Sequence, residues 1–480
     1  MKYFGWIGAL LLASGIVFAG DAAGQQAITQ KGDQYAPLWT PQITEVDRVR
    51  EGKWGGAMWC PFVGTAVKLI GNTTPASGIA DVYIDGVFQK TVDWYSPTET
   101  ADVVLFSADG LADGKHLLGV LARERKRAES SGTALHWSRV EYTPGKNAGH
   151  FVPPKRTRFD PNVPLWLDDR GESIQCHMGG IMFHEGRYYM AGHVWPNTER
   201  RLRELPNDWF RNAGIAVYSS PDLLNWTFHG SYCAPVKEAG HPLQDEKNIT
   251  ARPKLIRARG TGKFVMLFQL VSPTFVNPNA TAVAVSNKPE GPYEWRGFLQ
   301  CEGKPVQGSD TAVFTDEDGA QYFLSGLKNP DGSGWNVSDV LYQLAPDCLS
   351  VEKCKRLGTG GEAPAIFKHE GVYYLLHSHL TGLRVNENFY HTAKNIWGPW
   401  EAKGKIAHGP HSENTFQTQT TDVIPVSGKR GAFIWIGDSI RDNMAPHART
   451  VWLPVTLKEN SEMEIRWLDS WDFSVFNAAK

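Results

Sequence analysis

The sequence predicts an all-β protein, and three patterns support that prediction. Alternating polar and apolar runs separated by Gly and Asn turns fill roughly residues 43–142, which is typical of β-sandwich strands. A strand that opens with glycine and aromatic residues then recurs, at Gly186, Gly262, Gly319, Gly371 and Gly431. Most of these strands precede a second strand that leads to a tryptophan turn, at Trp226, Trp295, Trp400 and Trp467. Because repeats of several strands are typical of propellers, we expect a five-bladed β-propeller preceded by a small, jelly-roll-like β-sandwich.

The beginning of the chain resembles an export signal. Lys2 precedes the apolar run from Trp6 to Phe18, and small residues around Ala19 suit cleavage. We therefore expect a periplasmic or secreted protein that has no membrane contact once the signal is removed. The predicted segments are a signal peptide (1–24), a β-sandwich that is a candidate carbohydrate-binding module (25–144), a proline-punctuated linker (145–169) and the propeller (170–480).

Aromatic residues of the sandwich are candidates for a sugar-stacking platform, because the flat face of a pyranose packs on an aromatic ring. The alternative is that most of these rings belong to the core. The candidates are Trp54, Trp59, Trp94, Tyr95 and Trp137.

Charge and cysteine content narrow the functional classes. The 480 residues carry a formal net charge of -2 with dispersed Lys and Arg, so no broad basic field is present to attract nucleic acid. The six cysteines lack metal-ligand spacing. Cys348 and Cys354 are close enough in sequence to form a disulfide, and buried free thiols are the alternative.

Polar residues precede each of the five recurring strands. Because the innermost strands of a propeller converge on one axis, we expect these residues to face a common funnel. They are His177, Arg252, Asp310, Glu362 and Gln419. Glu362 stands before Ala-Pro and a run of β-branched and aromatic residues, which would withdraw it from water, raise its pKa and suit it to act as a general acid.

These motifs, taken together and in this order, resemble glycoside hydrolase family 43, and within it the exo-β-1,3-galactanase branch. The resemblance covers roughly residues 170–473. It depends on His177-Met178-Gly179-Gly180, Ser219 to Trp226, Arg252-Pro253-Lys254, Asp310, Glu362-Ala363-Pro364-Ala365, Thr381-Gly382, Thr415 to Thr420 and Arg449 to Pro454.

The resemblance implies a reaction that inverts the anomeric carbon. It makes Glu362 the general acid, Asp310 the group that orients and tunes it, and Gln419 the residue in the base position. Since an amide is not a base at neutral pH, we assign Gln419 to positioning the attacking water. The destination of the proton stays open, with Glu352 or a loop carboxylate as candidates. The residues expected to contact the sugar are His177, His193, Tyr218, Arg252 and Thr381.

Two positions depart from the branch. His193 replaces a glutamate that holds the terminal sugar, and Leu383 replaces a tryptophan. Imidazole and carboxylate satisfy different hydroxyls, so the departure concerns sugar specificity. A pocket with His177, His193, Arg252, His377 and His379 would suit a sulfated or uronic sugar if the histidines are protonated.

The sequence therefore predicts an exported inverting exo-glycosidase that hydrolyses terminal β-linked galactose of β-1,3-galactan type, or a modified galactoside. Its partner is a polysaccharide or oligosaccharide substrate. One alternative is an α-L-arabinofuranosidase or β-xylosidase of the same fold, and another is a non-catalytic glycan-binding propeller. No cofactor is expected to be required, and the resemblance allows a structural calcium ion in the propeller channel.

Overall fold

The structure is a computed structural model, and it is almost entirely β. It describes residues 18–20, 26–29, 42–43, 57–161, 166–172, 174–194, 213–244, 248–271, 279–327, 337–382, 385–438 and 450–477. Most of the predicted signal peptide lies outside these residues. The chain divides into two compact units, Met1–Arg156 with Trp166–Glu172 and Thr157–Leu165 with Ser173–Lys480. The all-β prediction is confirmed.

The first unit contains eight strands that hydrogen-bond into one antiparallel sheet. They are β1 (Phe18–Gly20), β2 (Gln26–Thr29), β3 (Gln42–Ile43), β4 (Ala57–Thr73), β5 (Ile79–Ile84), β6 (Val87–Asp93), β7 (Thr100–Arg125) and β8 (His136–Pro144). Their order is β1-β2-β8-β4-β7-β5-β6, and β3 pairs with β4. The pairing of the two longest strands, β4 and β7, is interrupted by register shifts, which let long strands bend.

The core of this unit lies against β4, β5 and β7. Leu69, Val82, Leu118 and Val140 are completely buried there. Trp94 belongs to the same core with 1% of its surface exposed, so its ring is not available to stack on a sugar. Tyr95 is partly exposed and lies 5.7 Å from the guanidinium of Arg127. Trp54 and the side chain of Trp59 lie outside the described part of the chain.

The described part of the second unit contains five sheets of four or five strands that follow one another along the chain, and the first four are entirely antiparallel. The first four have four strands each: β9 (His177–His184), β10 (Arg187–His193), β11 (Ile215–Ser220) and β12 (Thr227–Tyr232); β13 (Ile249–Arg257), β14 (Phe264–Val271), β15 (Asn279–Ser286) and β16 (Glu294–Phe298); β19 (Ala312–Thr315), β20 (Gln321–Leu327), β21 (Val337–Leu344) and β22 (Val351–Arg356); β23 (Glu362–His369), β24 (Val372–Ser378), β25 (Phe389–Ala393) and β26 (Glu401–Lys405). A small hairpin, β17 (Gln300–Cys301) and β18 (Lys304–Pro305), precedes the third sheet.

The fifth sheet has the order β27-β31-β30-β29-β28. Its strands are β27 (Ala407–His408), β28 (Gln419–Pro425), β29 (Phe433–Asp438), β30 (Thr450–Leu457) and β31 (Met463–Arg466). β27 pairs with β31 in parallel, so an earlier part of the chain completes this sheet. A 3-10 helix, Phe473–Asn477, follows.

The recurring glycines open the second strand of each sheet for a conformational reason. Each has a positive φ, between 70° and 81°, a region that glycine enters at little steric cost. The first strands of neighbouring sheets contact one another in a continuous series: β9 with β13, β13 with β19, β19 with β23, β23 with β28, and β28 with β9. Apolar clusters fill the space between successive sheets, as where Leu255 and Phe268 pack against Ala191 and Val217.

All six cysteines are free thiols, so the disulfide between Cys348 and Cys354 does not form. Cys348 is buried in a turn with its Sγ 3.4 Å from Gln321 Oε1, whereas Cys354 is exposed on β22 opposite Tyr342. Nearness along the chain therefore did not bring the two thiols together. Within the described residues, no helix is long and apolar enough to cross a membrane.

A buried ion pair makes the stability of the first unit depend on pH. His116 Nδ1 lies 2.8 Å from Asp85 Oδ2, and its Nε2 lies 2.8 Å from the Ala112 carbonyl. Burial lowers the pKa of His116, but the bonds to Asp85 and Ala112 outweigh it and raise the pKa above 6.5. The stabilisation should be complete below the unfolded pKa and should disappear as pH rises through the folded pKa.

We expect His116→Gln to destabilise the β5–β6 hairpin by about 1–3 kcal/mol at pH 5.5 and by less at pH 8.5. Hydrogen exchange of peptides spanning residues 79–93 measures this difference at both pH values. The control is His136→Gln, which changes an exposed histidine of the same unit. An equal loss of protection from hydrogen exchange at both pH values would contradict the prediction that His116 is charged in the folded protein at the lower pH.

Candidate active site

Irregular backbone surrounds several of the candidate residues. His177, Glu362 and Gln419 begin the first strands of their sheets, whereas Arg252 lies within β13 and His193 ends β10. The ladder shifts register beside His193, between Ala251 and Lys254, between Glu362 and Ala365, and between Thr420 and Asp422. Bulges of this kind rotate side chains out of the alternation of a regular strand. Three non-glycine residues in the first strands have a positive φ: Met178, Arg252 and Ala363.

Glu362 is half-buried and hydrogen-bonded through one oxygen. Its Oε1 accepts from the Thr381 amide at 3.1 Å and from Gln419 Nε2 at 3.0 Å. Burial is the main cause that raises the pKa of Glu362 to about 7, and the charge of Asp310 raises it further. Arg252 and the two donors act in the opposite direction. A carboxyl with this pKa is substantially protonated near neutrality, as a general acid must be.

Asp310 is fixed next to the acid through the backbone. Its Oδ2 accepts from the Ala363 amide at 2.9 Å, and its Oδ1 lies 3.3 Å from Arg252 Nε. The amide belongs to the residue that follows Glu362, so the two carboxyl groups are held in one local arrangement. This is the position expected for a group that orients and tunes the acid.

Arg252 links the polar groups of the site. Only 2% of its surface is exposed. Nη2 donates to Gln419 Oε1 and Nη1 donates to the Thr420 carbonyl at 3.2 Å, while Nε faces Asp310. The resemblance implied a sugar contact for Arg252. The structure instead directs its guanidinium toward protein groups.

The amide of Gln419 has a defined orientation. Its Nε2 lies within hydrogen-bonding distance of Glu362 Oε1, Ser378 Oγ at 2.8 Å and the Gly382 carbonyl at 3.2 Å. Its Oε1 faces Arg252. The amide nitrogen therefore points toward the acid, and one lone pair of Oε1 stays available to a second donor.

Three predicted sugar contacts are buried among protein atoms. His177, His193 and Tyr218 have 1%, 0% and 1% of their surface exposed. His177 Nδ1 lies 3.8 Å from Asp438 Oδ1, and the Tyr218 hydroxyl accepts from the Gln175 amide at 3.0 Å. These side chains form the interior behind the site in this structure.

Two of the predicted histidines, His193 and His377, are unfavourable places for the positive charge that an anionic sugar would need. His193 Nδ1 lies 2.9 Å from the Thr250 carbonyl, and burial lowers its pKa to about 3. Burial also lowers the pKa of His377 to about 3. Desolvation disfavours the imidazolium form of both residues, so the protonation on which recognition of a sulfated or uronic sugar was made conditional is opposed at His193 and His377.

Thr381 lies on an exposed loop that a pair of asparagines holds in place. Asn386 Nδ2 donates to Thr381 Oγ1 at 2.7 Å and to the His379 carbonyl at 2.9 Å. Asn388 Oδ1 accepts from the Thr420 amide and hydroxyl at 2.7 and 2.8 Å. Sequence reasoning missed both asparagines and Ser378. The run Asn386-Glu387-Asn388 between two predicted strands was the sequence feature that could have indicated the two asparagines.

An all-β protein that holds a partly protonated glutamic acid beside a second carboxyl group is suited to cleaving glycosidic bonds, as a glycoside hydrolase does. The model of glycosyl hydrolases family 43 matches residues 181–436, more than half of the chain. The chain belongs to this family, which confirms the resemblance.

Several solved structures share the fold. A family 43 β-1,3-galactosidase in complex with galactodeoxynojirimycin is 30% identical with a TM-score of 0.55, and the match covers 64% of this chain and 99% of that one. A putative exo-β-1,3-galactanase from Bifidobacterium bifidum s17 is 26% identical with a TM-score of 0.53, over 66% and 97% of the two chains. These similarities confirm the likeness to the galactanase branch.

Curated proteins match over shorter stretches. A xylosidase/arabinosidase from Butyrivibrio fibrisolvens is 25% identical over 178 residues, which cover 34% of this chain and 32% of that protein. The chain spans between 8% and 58% of the length of the curated relatives that it matches.

Because Asp310 lies close to Glu362, removing the charge of Asp310 should change the pKa of Glu362. We expect Asp310→Asn to lower the pKa of Glu362 below 7, because it removes a like charge and leaves Arg252 nearby. The Ala363 amide can still donate to the side-chain oxygen of the asparagine, so the backbone next to Glu362 keeps its geometry. Carbon-13 NMR of glutamate carboxyl groups across a pH series measures the pKa, with Glu362→Gln used to assign the signal.

Asp318→Asn is the matched control, because Asp318 is exposed in the turn after β19. It should leave the titration of Glu362 unchanged. An unchanged titration in Asp310→Asn would mean that burial alone sets the pKa of the acid.

Proposed function

We propose that this chain is an exported, inverting exo-glycosidase that removes terminal β-linked galactose of β-1,3-galactan type, or a modified galactoside. The observation that carries the proposal is the buried network in which Arg252 joins Asp310 to Gln419, and Gln419 in turn contacts Glu362. The printed names of the two structural relatives, a β-1,3-galactosidase and a putative exo-β-1,3-galactanase, support galactose as the sugar.

The hydrogen bonds of Glu362 assign its proton to one oxygen. Because Oε1 already accepts two N–H groups, the proton belongs on Oε2, from which it passes to the glycosidic oxygen. The transfer leaves a carboxylate whose charge the Thr381 amide and the Gln419 amide stabilise through Oε1. Such charge-assisted bonds strengthen as the bond to the leaving group breaks, which lowers the barrier.

Gln419 is suited to positioning the water and poorly suited to accepting its proton. Oε1 accepts from Arg252, and a neighbouring cation makes an oxygen less basic. The remaining lone pair can accept one hydrogen of a water molecule and direct it toward the anomeric carbon. Glu352 does not serve as the base, because it is exposed on β22, the outermost strand of its sheet.

The proposal also covers the arrangement of the sheets, namely a five-bladed propeller and a β-sandwich. The contacts among β9, β13, β19, β23 and β28 support an arrangement of the five sheets as blades around one axis. The interrupted pairing of β4 and β7 supports a first unit folded over as a sandwich. The predicted roles of the sandwich in carbohydrate binding and of residues 1–24 in export belong to this proposal.

The experiment that tests the function measures sugar release by the purified protein. The panel contains β-1,3-galactan, arabinogalactan, arabinan, xylan and sulfated galactans, and proton NMR follows the anomer of the product. We expect galactose to appear first as the α-anomer. Release of arabinose or xylose would favour the alternative glycosidase, and binding without release would favour a glycan-binding protein.

Glu362→Gln tests the acid directly. We expect kcat/KM to fall about 10²–10⁴-fold while oligosaccharide binding persists, because the amide keeps the shape of the side chain but cannot donate the proton. In the unchanged protein, kcat/KM should decline as pH rises above about 7, where Glu362 loses its proton.

Glu352→Gln is the control, since it makes the same chemical change at an exposed residue. It should retain both the rate and the pH profile. Full activity in Glu362→Gln would show that another group is the acid.

A further inference from the structure

A lysine lies where the first strands of three sheets meet. Lys254, on β13, has 2% of its surface exposed. Its Nζ donates to the Gly179 carbonyl of β9 at 2.5 Å and to the Thr421 carbonyl of β28 at 3.0 Å. β13 and β28 both contact β9. One ammonium therefore joins three of the strands that surround the proposed channel.

A buried carboxyl group accompanies this ammonium. Asp422, also on β28, accepts from the Ile181 amide at 2.9 Å, which ties it to β9. The charge of Asp422 favours the protonated lysine. Burial lowers the pKa of Lys254 to about 8, so most of the amine is protonated at neutral pH.

The backbone makes room for the lysine. A Cβ atom at Gly180 would lie 2.4 Å from Lys254 Cδ and 3.1 Å from Asp422 Oδ2. Real Cβ atoms do not approach other atoms as closely as 2.4 Å. The glycine at position 180 is therefore required by the path of the lysine side chain across β9.

These residues do not fit a calcium ion, which the resemblance allowed in the channel. Calcium takes six to eight oxygen ligands. Here the carbonyls of Gly179 and Thr421 already accept from an ammonium, and a divalent ion on the same oxygens would stand against a buried like charge. Among the residues that the structure describes, no group of three or more His, Cys, Asp or Glu side chains is arranged to hold a metal.

We propose that the ammonium of Lys254 is the internal cation of the channel and holds β9, β13 and β28 together in place of a metal ion. This role concerns folding and does not depend on which sugar the protein hydrolyses. Its readouts are stability and metal content, so they are independent of activity.

The test compares thermal unfolding of the full chain in EDTA and in millimolar calcium. The unchanged protein should contain less than 0.1 equivalent of calcium by elemental analysis and keep its Tm within about 1 °C in both buffers. Lys254→Met should lower Tm by about 5 °C or more, because it removes the ammonium from two buried carbonyls, of which that of Gly179 keeps only the Thr421 hydroxyl as a side-chain donor. The control is Lys405→Met, since Lys405 is a partly exposed lysine of β26.

Lys254→Ala provides a chemical rescue. The space that it opens should admit a small alkylammonium ion, so propylammonium chloride should recover at least half of the lost Tm while sodium chloride at the same ionic strength should not.

Two results would overturn the proposal. One is a Lys254→Met variant with the Tm of the unchanged protein. The other is one equivalent of bound calcium whose removal by EDTA lowers the Tm of the unchanged protein by several degrees, and this measurement applies even if the variants do not fold.

Discussion

The guanidinium of Arg252 is the group on which the arrangement of the site depends. A buried charge is costly unless it is paired and hydrogen-bonded. Arg252 meets that condition by facing Asp310, the Gln419 amide oxygen and the Thr420 carbonyl together. Its position therefore sets the orientation of the amide and the place of the second carboxyl group, and both of these contact Glu362 or its neighbour. Within this arrangement burial and the charge of Asp310 raise the pKa of Glu362, whereas Arg252 itself lowers it.

The backbone before Gln419 stores strain that the surrounding structure must hold. Residues Asn414–Gln417 all have a positive φ, between 49° and 59°, and so form a left-handed turn. For residues other than glycine, that conformation costs about 1–2 kcal/mol each. Thr415 Oγ1 accepts from the Asn388 amide at 2.7 Å and donates to the Asn386 carbonyl at 3.1 Å. The asparagines that hold the loop of Thr381 therefore also hold the turn that leads to Gln419.

The sequence allowed us to predict features that depend on local pattern. It did not allow us to predict contacts between residues far apart in the chain. The recurring glycines were visible because each occupies a turn that requires a positive φ. The raised pKa of Glu362 followed from its apolar flanks. The contact between Arg252 and Gln419 joins residues 167 positions apart, which no periodicity reports. His177 and His193 were predicted to contact sugar, but strands buried on both faces give no alternation that would distinguish an inward side chain from one that faces a pocket.

Arg252 and Lys254 connect the chemistry of the site to the interior of the fold. Both side chains leave β13 and reach β28, where Arg252 contacts Gln419 and Thr420 and Lys254 contacts Thr421. The ladder is interrupted between Ala251 and Lys254, and Pro253 within this interruption has no N–H to be left unpaired. Successive residues of β28 are thus fixed by two cations from one neighbouring strand. Loss of the Lys254 ammonium would remove one of the two cations that hold β28, so we expect the position of Gln419 to depend on Lys254 as well as on Arg252.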